Sequence, residues 1–291
     1  MMPPLTGFSV QLFFPLPRSG RARYATLNKE QRTEARAGGR SNGVFVAAST
    51  DCFPGVPLEE ALSRLVDLEF NRVEIGIHSG GTGLLPADVL HDPDRAIAQC
   101  RNTQRLTPVA YAVDPDPGED YYKQFAACCK LAKATKVVTI TIRSGELGTP
   151  FNAEIERLRE LARIACEDGV LLGLLTEQGR ISEDPGTAVV MCQQVKGLGL
   201  TLDPSPFVCG PHKGANYNSV YKHVVNTHLR DSSKDKFQVR IGQGEIEYSR
   251  LITQLGMMRY SRALCVHISP MDGVDHTGEM RKMRLLLESH L

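Results

Sequence analysis

None of the eight cysteines, at 52, 100, 128, 129, 166, 192, 209 and 265, is paired in a Cys-x-x-Cys motif. Most fall inside apolar helix or strand patterns. That argues against a disulfide framework or a thiolate zinc cluster and points to reduced, buried thiols of a cytoplasmic protein. No apolar run approaches the ~18 residues of a membrane span, so no membrane partner is expected. The glycine loops Ser79-Gly80-Gly81-Thr82-Gly83 and Gly242-Gln243-Gly244-Glu245 lack the dinucleotide and P-loop patterns, so they imply no nucleotide. The body also has no excess of basic charge. The first 43 residues hold seven Lys and Arg against two Asp and Glu, which leaves the rest at −4 within a net charge of +1. A mildly acidic body is not built to wrap a polyanion.

What is present divides at Gly43. Residues 1–43 are Arg-, Gly- and Ser-rich with little periodicity and read as a disordered extension. The run Phe8 to Leu16 is interrupted by Gln11 and Pro15, comes after no basic residue, and makes a poor secretory signal. A leader without a structural role is the plainer reading, and a targeting extension is the other.

From Gly43 onward strand-like runs alternate with helical ones: Val44 to Ala48, Arg72 to Ile77, Leu106 to Val113, Lys136 to Ile142, then runs ending at Glu177, Asp203 and His228, and finally Arg262 to Ile268. Helices are expected from Pro57, through Ala96 to Asn102, from Asp120 to Ala134, Ala153 to Cys166, Ser182 to Val195, Tyr248 to Leu255, and Gly278 to His290. Eight strand–helix units over about 250 residues predict an α/β fold, a single-domain (β/α)8 TIM barrel over residues 44–291. A doubly wound open sheet is the alternative. It would gather its polar strand ends at one switch point rather than around all strands.

In a barrel the catalytic groups sit at the C-terminal strand ends. There the sequence places Asp51, Glu74 with His78, Asp114, Arg143 with Glu146, Glu177, Asp203, His228 with Arg230 and Asp231, and His267. Glu177, Asp203 and His228 succeed one another at intervals of 26 and 25 residues, about one strand plus its return helix. With His267 they form a donor set of two carboxylates and two imidazoles. That set suits one divalent ion, Mn, Co or Zn rather than Mg. The plainer readings are a helix cap for any single carboxylate, a turn at Asp203-Pro204, a core histidine at His267, and a local ion pair at Arg230-Asp231. Glu74, His78 and Glu245 are taken as substrate contacts.

Leu175-Thr176-Glu177, Leu200-Thr201-Leu202-Asp203-Pro204, Thr227-His228-Leu229-Arg230-Asp231-Ser232 and Gly242-Gln243-Gly244-Glu245-Ile246 together make the chain resemble the xylose-isomerase-like barrels of the sugar isomerase/epimerase group, across roughly Gly43 to Leu291. The resemblance implies a metal held by Glu, Asp, His and a second Glu, the first three matched by Glu177, Asp203 and His228. It also implies proton transfer between adjacent carbons of an open-chain sugar through an enediolate, and a substrate contact by Arg230. Two positions depart from the pattern. His267 stands where the family carries Glu, and Pro206 replaces a His that often comes after the sixth-strand Asp. The departures leave open a metal-dependent lyase or dehydratase acting on an oxidised sugar, or a non-catalytic sugar-binding barrel. The expected reading is a metal-dependent sugar isomerase or epimerase, with Glu177 and His267 moving the proton, a small-molecule sugar as partner, and no nucleic acid. A homo-oligomer is compatible with it. The related endonucleases need further His ligands after the seventh strand, where Lys234-Asp235-Lys236-Phe237-Gln238 has none.

Overall fold

A computed structural model describes residues 43–291; all but the last residue of the extension expected over residues 1–43 lies outside them. Eight strands, β1 (Phe45–Ser49), β2 (Arg72–His78), β3 (Thr107–Asp114), β4 (Thr139–Ile142), β5 (Leu171–Leu175), β6 (Leu198–Leu202), β7 (Val224–Leu229) and β8 (Ala263–Val266), run parallel in sequence order. The sheet closes where Phe45 to Ala48 of β1 pair with Ala263 to Val266 of β8. This is a TIM barrel, and the open-sheet alternative does not apply.

Side-chain size explains which way each strand faces. Ile75, Tyr111, Ile140, Leu172, Leu200 and Leu264 are large, fully buried, and belong to the apolar layer between strands and helices. Positions on the opposite face of the sheet are small or polar. They include Ala47, Glu74, Thr141, Gly173, Thr201, Asn226 and Cys265, and these fill the lumen. Glycine is required there: a Cβ on Gly173 would lie 2.5 Å from Thr201 Oγ1, and one on Gly199 2.6 Å from Val225 Cγ1. A register shift opposite Leu200 and Thr201 inserts Val225 as an extra residue in β7. Such a bulge re-aims the side chains beyond it, and here it brings Asn226 and His228 into the lumen.

Helices cover the outer face: α1 (Leu58–Asp67), α2 (Pro86–His91), α3 (Pro93–Arg101), α4 (Tyr121–Thr135), α5 (Phe151–Glu167), α6 (Pro185–Gln194), α7 (Ser205–Val208), α8 (Tyr248–Met257) and α9 (His276–Glu288). In α5 the buried Ile155, Leu158, Leu161, Ala162 and Ala165 recur at three- and four-residue steps, the pattern of one apolar face. Asp92, Asp184 and Asp275 accept backbone N–H bonds at the starts of α3, α6 and α9, the role expected of short acidic side chains there.

Two local differences from the sequence expectation have physical causes. Lys136, expected to open β4, instead closes α4 in the left-handed conformation (φ 62°), so the strand starts only at Thr139 and Val138 is exposed. The short helices α2 and α7 carry too few residues for a period to be read. The eight cysteines are unpaired, and all but Cys166 are buried. Burial pushes the Cys52 thiol up to about 12, which keeps it as the neutral thiol at neutral pH.

Leu158 is fully buried at the centre of the α5 face. Leu158→Ala is expected to cost ~2–5 kcal/mol of unfolding free energy in urea denaturation. A change below ~1 kcal/mol would show that this helix does not seal the barrel wall.

Candidate active site

The lumen just beneath the C-terminal mouth holds a continuous polar chain. Glu74 of β2, completely buried, accepts from His228 Nε2 of β7 at 2.5 Å and from Asn226 Nδ2 at 2.6 Å. Asn226 also donates to Thr141 Oγ1 at 3.2 Å, and Thr141 meets Thr201 Oγ1 at 2.7 Å. None of these four pairs joins neighbouring strands, so the bonds cross the barrel. The Glu74 carboxylate engages His228 at Nε2, which leaves Nδ1 as the other ring nitrogen. That nitrogen is buried and has no hydrogen-bond partner among the described residues.

Above this layer His267, after β8, stacks on His228 with ring centroids 4.3 Å apart and planes 13° from parallel. Its Nδ1 accepts from Arg230 Nη2 at 3.0 Å, while Nε2 stands 3.7 Å from Asp51 Oδ2. Asp51 in turn accepts from His78 Nε2 at 2.8 Å. Asp51 fits between the two rings because residue 76 is glycine; a Cβ there would overlap the carboxylate. Burial alone would raise the Asp51 carboxyl, but the flanking His267 and His78 hold it well below the usual carboxylate range. For His78 burial acts downward and is outweighed by the bond and charge of Asp51, so its pKa is raised. For His267 burial and then the charge of His228 prevail over Asp51, so its pKa is lowered. His267 is therefore the neutral imidazole of the group at neutral pH.

Arginines hold the carboxylates at the rim. Arg230 Nε donates to Asp203 Oδ2 at 3.0 Å, and Asp203 Oδ1 accepts from Ser205 N at 2.8 Å, the local turn contact that Asp203-Pro204 suggests. Glu177 takes a bidentate pair from Arg143, Nε at 2.8 Å and Nη2 at 2.5 Å, and a further contact from Arg180 Nε at 3.1 Å. Arg143 also reaches Asp114 at 3.5 Å.

The four residues expected on one metal are thus brought to one mouth but not to one point. His228 and His267 stack, Asp203 and His267 share Arg230, and Glu177 stands apart with its two arginines. Among the described residues no three His, Cys, Asp or Glu side chains converge as a ligand set. The reason is the guanidinium groups, whose forks match carboxylates closely. The donor types are those a divalent ion takes, but their arrangement does not fit one: the His228 and His267 rings lie nearly parallel, so their in-plane lone pairs do not point at a common ion.

Of the expected substrate contacts, Glu74 lies beneath the mouth bonded to His228, His78 is tied to Asp51, and Arg230 is at the centre. Glu245 lies on the exposed loop after β7, its carboxylate held by Lys234 at 3.0 Å. Asp51 and Arg143 were visible as strand-end residues without a role. Arg180 and Asn226 were missed, because neither ends a strand.

No protein-family model matches the sequence, and no curated protein does. Solved structures do match. A xylose isomerase-like TIM barrel protein from Mycobacterium smegmatis in complex with magnesium aligns with TM-score 0.67 at 16% identity, over 84% of this chain and 97% of that one. The chain shares the TIM-barrel fold of that protein. Within that fold, D-allulose 3-epimerase from Methylomonas sp. aligns with TM-score 0.66 at 11% identity over 85% and 98% of the two chains. The IOLI protein with a bound zinc atom aligns with TM-score 0.61 at 15% identity over 84% and 99%.

The buried pairs make two predictions. Glu74→Ala leaves His228 Nε2 and Asn226 Nδ2 unpaired in the lumen and is expected to destabilise the fold by ~3–5 kcal/mol in urea titration; a near-neutral effect would mean that water replaces the carboxylate at no loss. The raised pKa of His78 gives stability that is complete below the unfolded value and is lost as pH rises through the folded one. His78→Gln is therefore expected to cost more at pH ~5.5 than at pH ~9, by a few tenths to about 1 kcal/mol for this partly exposed pair. An equal cost at both pH values would contradict the pairing.

Proposed function

We propose that the mouth of this barrel is the catalytic site of an isomerase or epimerase acting on a sugar or sugar derivative by proton transfer between adjacent carbons. The observation that carries this is the placement of two proton-bearing groups across the mouth. Glu177 comes after β5 and His267 after β8, three strands apart in a ring of eight, with their side chains 23% and 18% exposed. An open-chain sugar entering the mouth lies between a carboxylate and a neutral imidazole. One group can remove the proton beside a carbonyl and the other can return it, and the enediolate between them gives an epimer or an isomer. The solved epimerase among the structural neighbours supports the reading.

The protein supplies the rest of the environment. Arg143 and Arg180 clamp Glu177 so that its carboxylate presents one orientation, and they add positive charge where an enediolate oxygen develops negative charge. Asp51 faces the Nε2 edge of His267 and steadies the ring, while the stack on His228 fixes its plane. The magnesium and zinc held by structural neighbours support a divalent ion in sites of this fold, but His228, Asp203, His267 and Glu177 as arranged here do not converge on one, so the proton transfer rests on Glu177 and His267.

The test is incubation of the protein with open-chain-accessible ketoses and aldoses in D2O, with and without added Mn²⁺ or Zn²⁺. A product of the same formula is expected, carrying deuterium at the carbon next to the carbonyl. Glu177→Gln and His267→Ala are each expected to lower kcat by ~10²–10⁴-fold. A product lighter by one water, or full activity in both variants, would overturn the reading.

A further inference from the structure

We infer that the guanidinium of Arg230 is the resident cation of this mouth, meeting the charge that develops on substrate oxygen, and that the site works without a divalent ion. The inference rests on the isomerase or epimerase reading above and names the group that answers its enediolate. Arg230 Nε donates to Asp203 Oδ2 and Nη2 to His267 Nδ1, both at 3.0 Å. A guanidinium only donates, so His267 Nδ1 turns its lone pair to it. The other Asp203 oxygen accepts from Ser205 N. The electron pairs at the ends of β6 and β8 are thereby already engaged. Glu177 is engaged as well, by Arg143 and Arg180. The near-parallel stack of His228 on His267 keeps those two rings from sharing one ion. The positive charge at the centre of the rim belongs to a side chain.

The guanidinium is fixed in this place and still has donors to spare. Its side chain is 11% exposed and lies over the Phe237 ring at 4.9 Å, and its backbone carbonyl accepts from Tyr248 OH at 2.7 Å. Nη1 has no hydrogen-bond partner among the described residues and, unlike His228 Nδ1, is not sealed from solvent. Arg230 comes after β7, and β6 and β7 are the strands between Glu177 after β5 and His267 after β8. The cation therefore stands on the arc between the two proton-moving groups. When the C–H bond beside the sugar carbonyl breaks, its proton passes to one of those groups and its electron pair moves onto the carbonyl oxygen. The Nη1 N–H groups donate to that oxygen as it becomes negative. Return of the proton to the neighbouring carbon, or to the other face of the same carbon, restores a carbonyl, so the formula is unchanged and no co-reactant enters. A guanidinium already held by Asp203 and His267 needs no rearrangement as the charge appears.

The test uses the metal-stripped protein and does not depend on turnover. Mn²⁺ and Zn²⁺ are titrated by calorimetry into wild type and Asp203→Asn. Wild type is expected to show no saturable site with Kd below ~1 mM that Asp203→Asn weakens; such a site overturns the inference. The hydroxamate of a four-carbon sugar acid, a planar mimic of an enediolate, is then titrated without metal. It is expected to bind wild type and to bind Arg230→Met about tenfold more weakly or worse, the ratio for one charge-assisted hydrogen bond. Arg230→Lys keeps the charge without the fork and is expected to fall between the two. It also covers the case in which the Met variant does not fold, as read by circular dichroism. A mimic that wild type does not bind, or that a folded variant binds as well as wild type, overturns the inference. Where a sugar is isomerised, the rate is expected to be unchanged by EDTA. A rate that EDTA abolishes and Mn²⁺ restores overturns the inference and leaves the proposed function standing. Arg230-dependent binding of the mimic with no ion site, in a protein that isomerises no sugar, does the reverse.

Discussion

The bond between Glu74 and His228 sets the terms for the rest of the mouth. Both groups are buried, they come from β2 and β7, and neither has another ionic partner among the described residues. A carboxylate costs several kcal/mol to remove from water, so its place in the lumen depends on the two N–H donors that meet it. Those donors exist because β7 carries a bulge that turns Asn226 and His228 inward. The pair fixes the His228 ring, that ring is the platform on which His267 stacks, and His267 is where the Asp51 and Arg230 contacts meet. The geometry of the rim is therefore inherited from one buried bond.

The rim is a field of matched charges rather than an excess of either sign. Three arginines, Arg143, Arg180 and Arg230, answer Glu177, Asp114 and Asp203, and Asp51 sits between two imidazoles. Such a site is pre-organised. Its dipoles and charges already point inward before a ligand arrives, and little reorganisation is needed when charge develops on a bound molecule. The same matching explains why the carboxylates do not converge on one point: each is engaged by a planar cation with two or more donors.

Much of the barrel was legible in the sequence because its strands are short apolar runs at steady intervals and their ends carry polar residues. Of the five strand starts expected, those of β1, β2, β3 and β8 fall within one residue of the observed ones. β4 does not, since the left-handed turn at Lys136 is set by the packing of α4 and not by the β-branched composition after it. The residue types of the site were legible too. Their pairing was not. Glu177 and Arg143 are 34 residues apart, and Glu74 and His228 are 154 apart. Only closure of the sheet decides that these meet. Arg180, three residues after Glu177 and beyond the strand, carried no signal of its own. The glycine loop before Glu245 does not by itself fix which way that acidic side chain turns; in the structure it turns to Lys234.

Gly76 carries a consequence of its own. Its missing carbon is the space in which the Asp51 carboxylate sits, and Asp51 joins the His78 and His267 imidazoles. The steric vacancy on β2 and the electrostatic bridge above it are one trait recorded at two distant positions. A lineage that filled position 76 would lose the bridge while every residue of the bridge was still present, and an inventory of polar side chains would not show the loss.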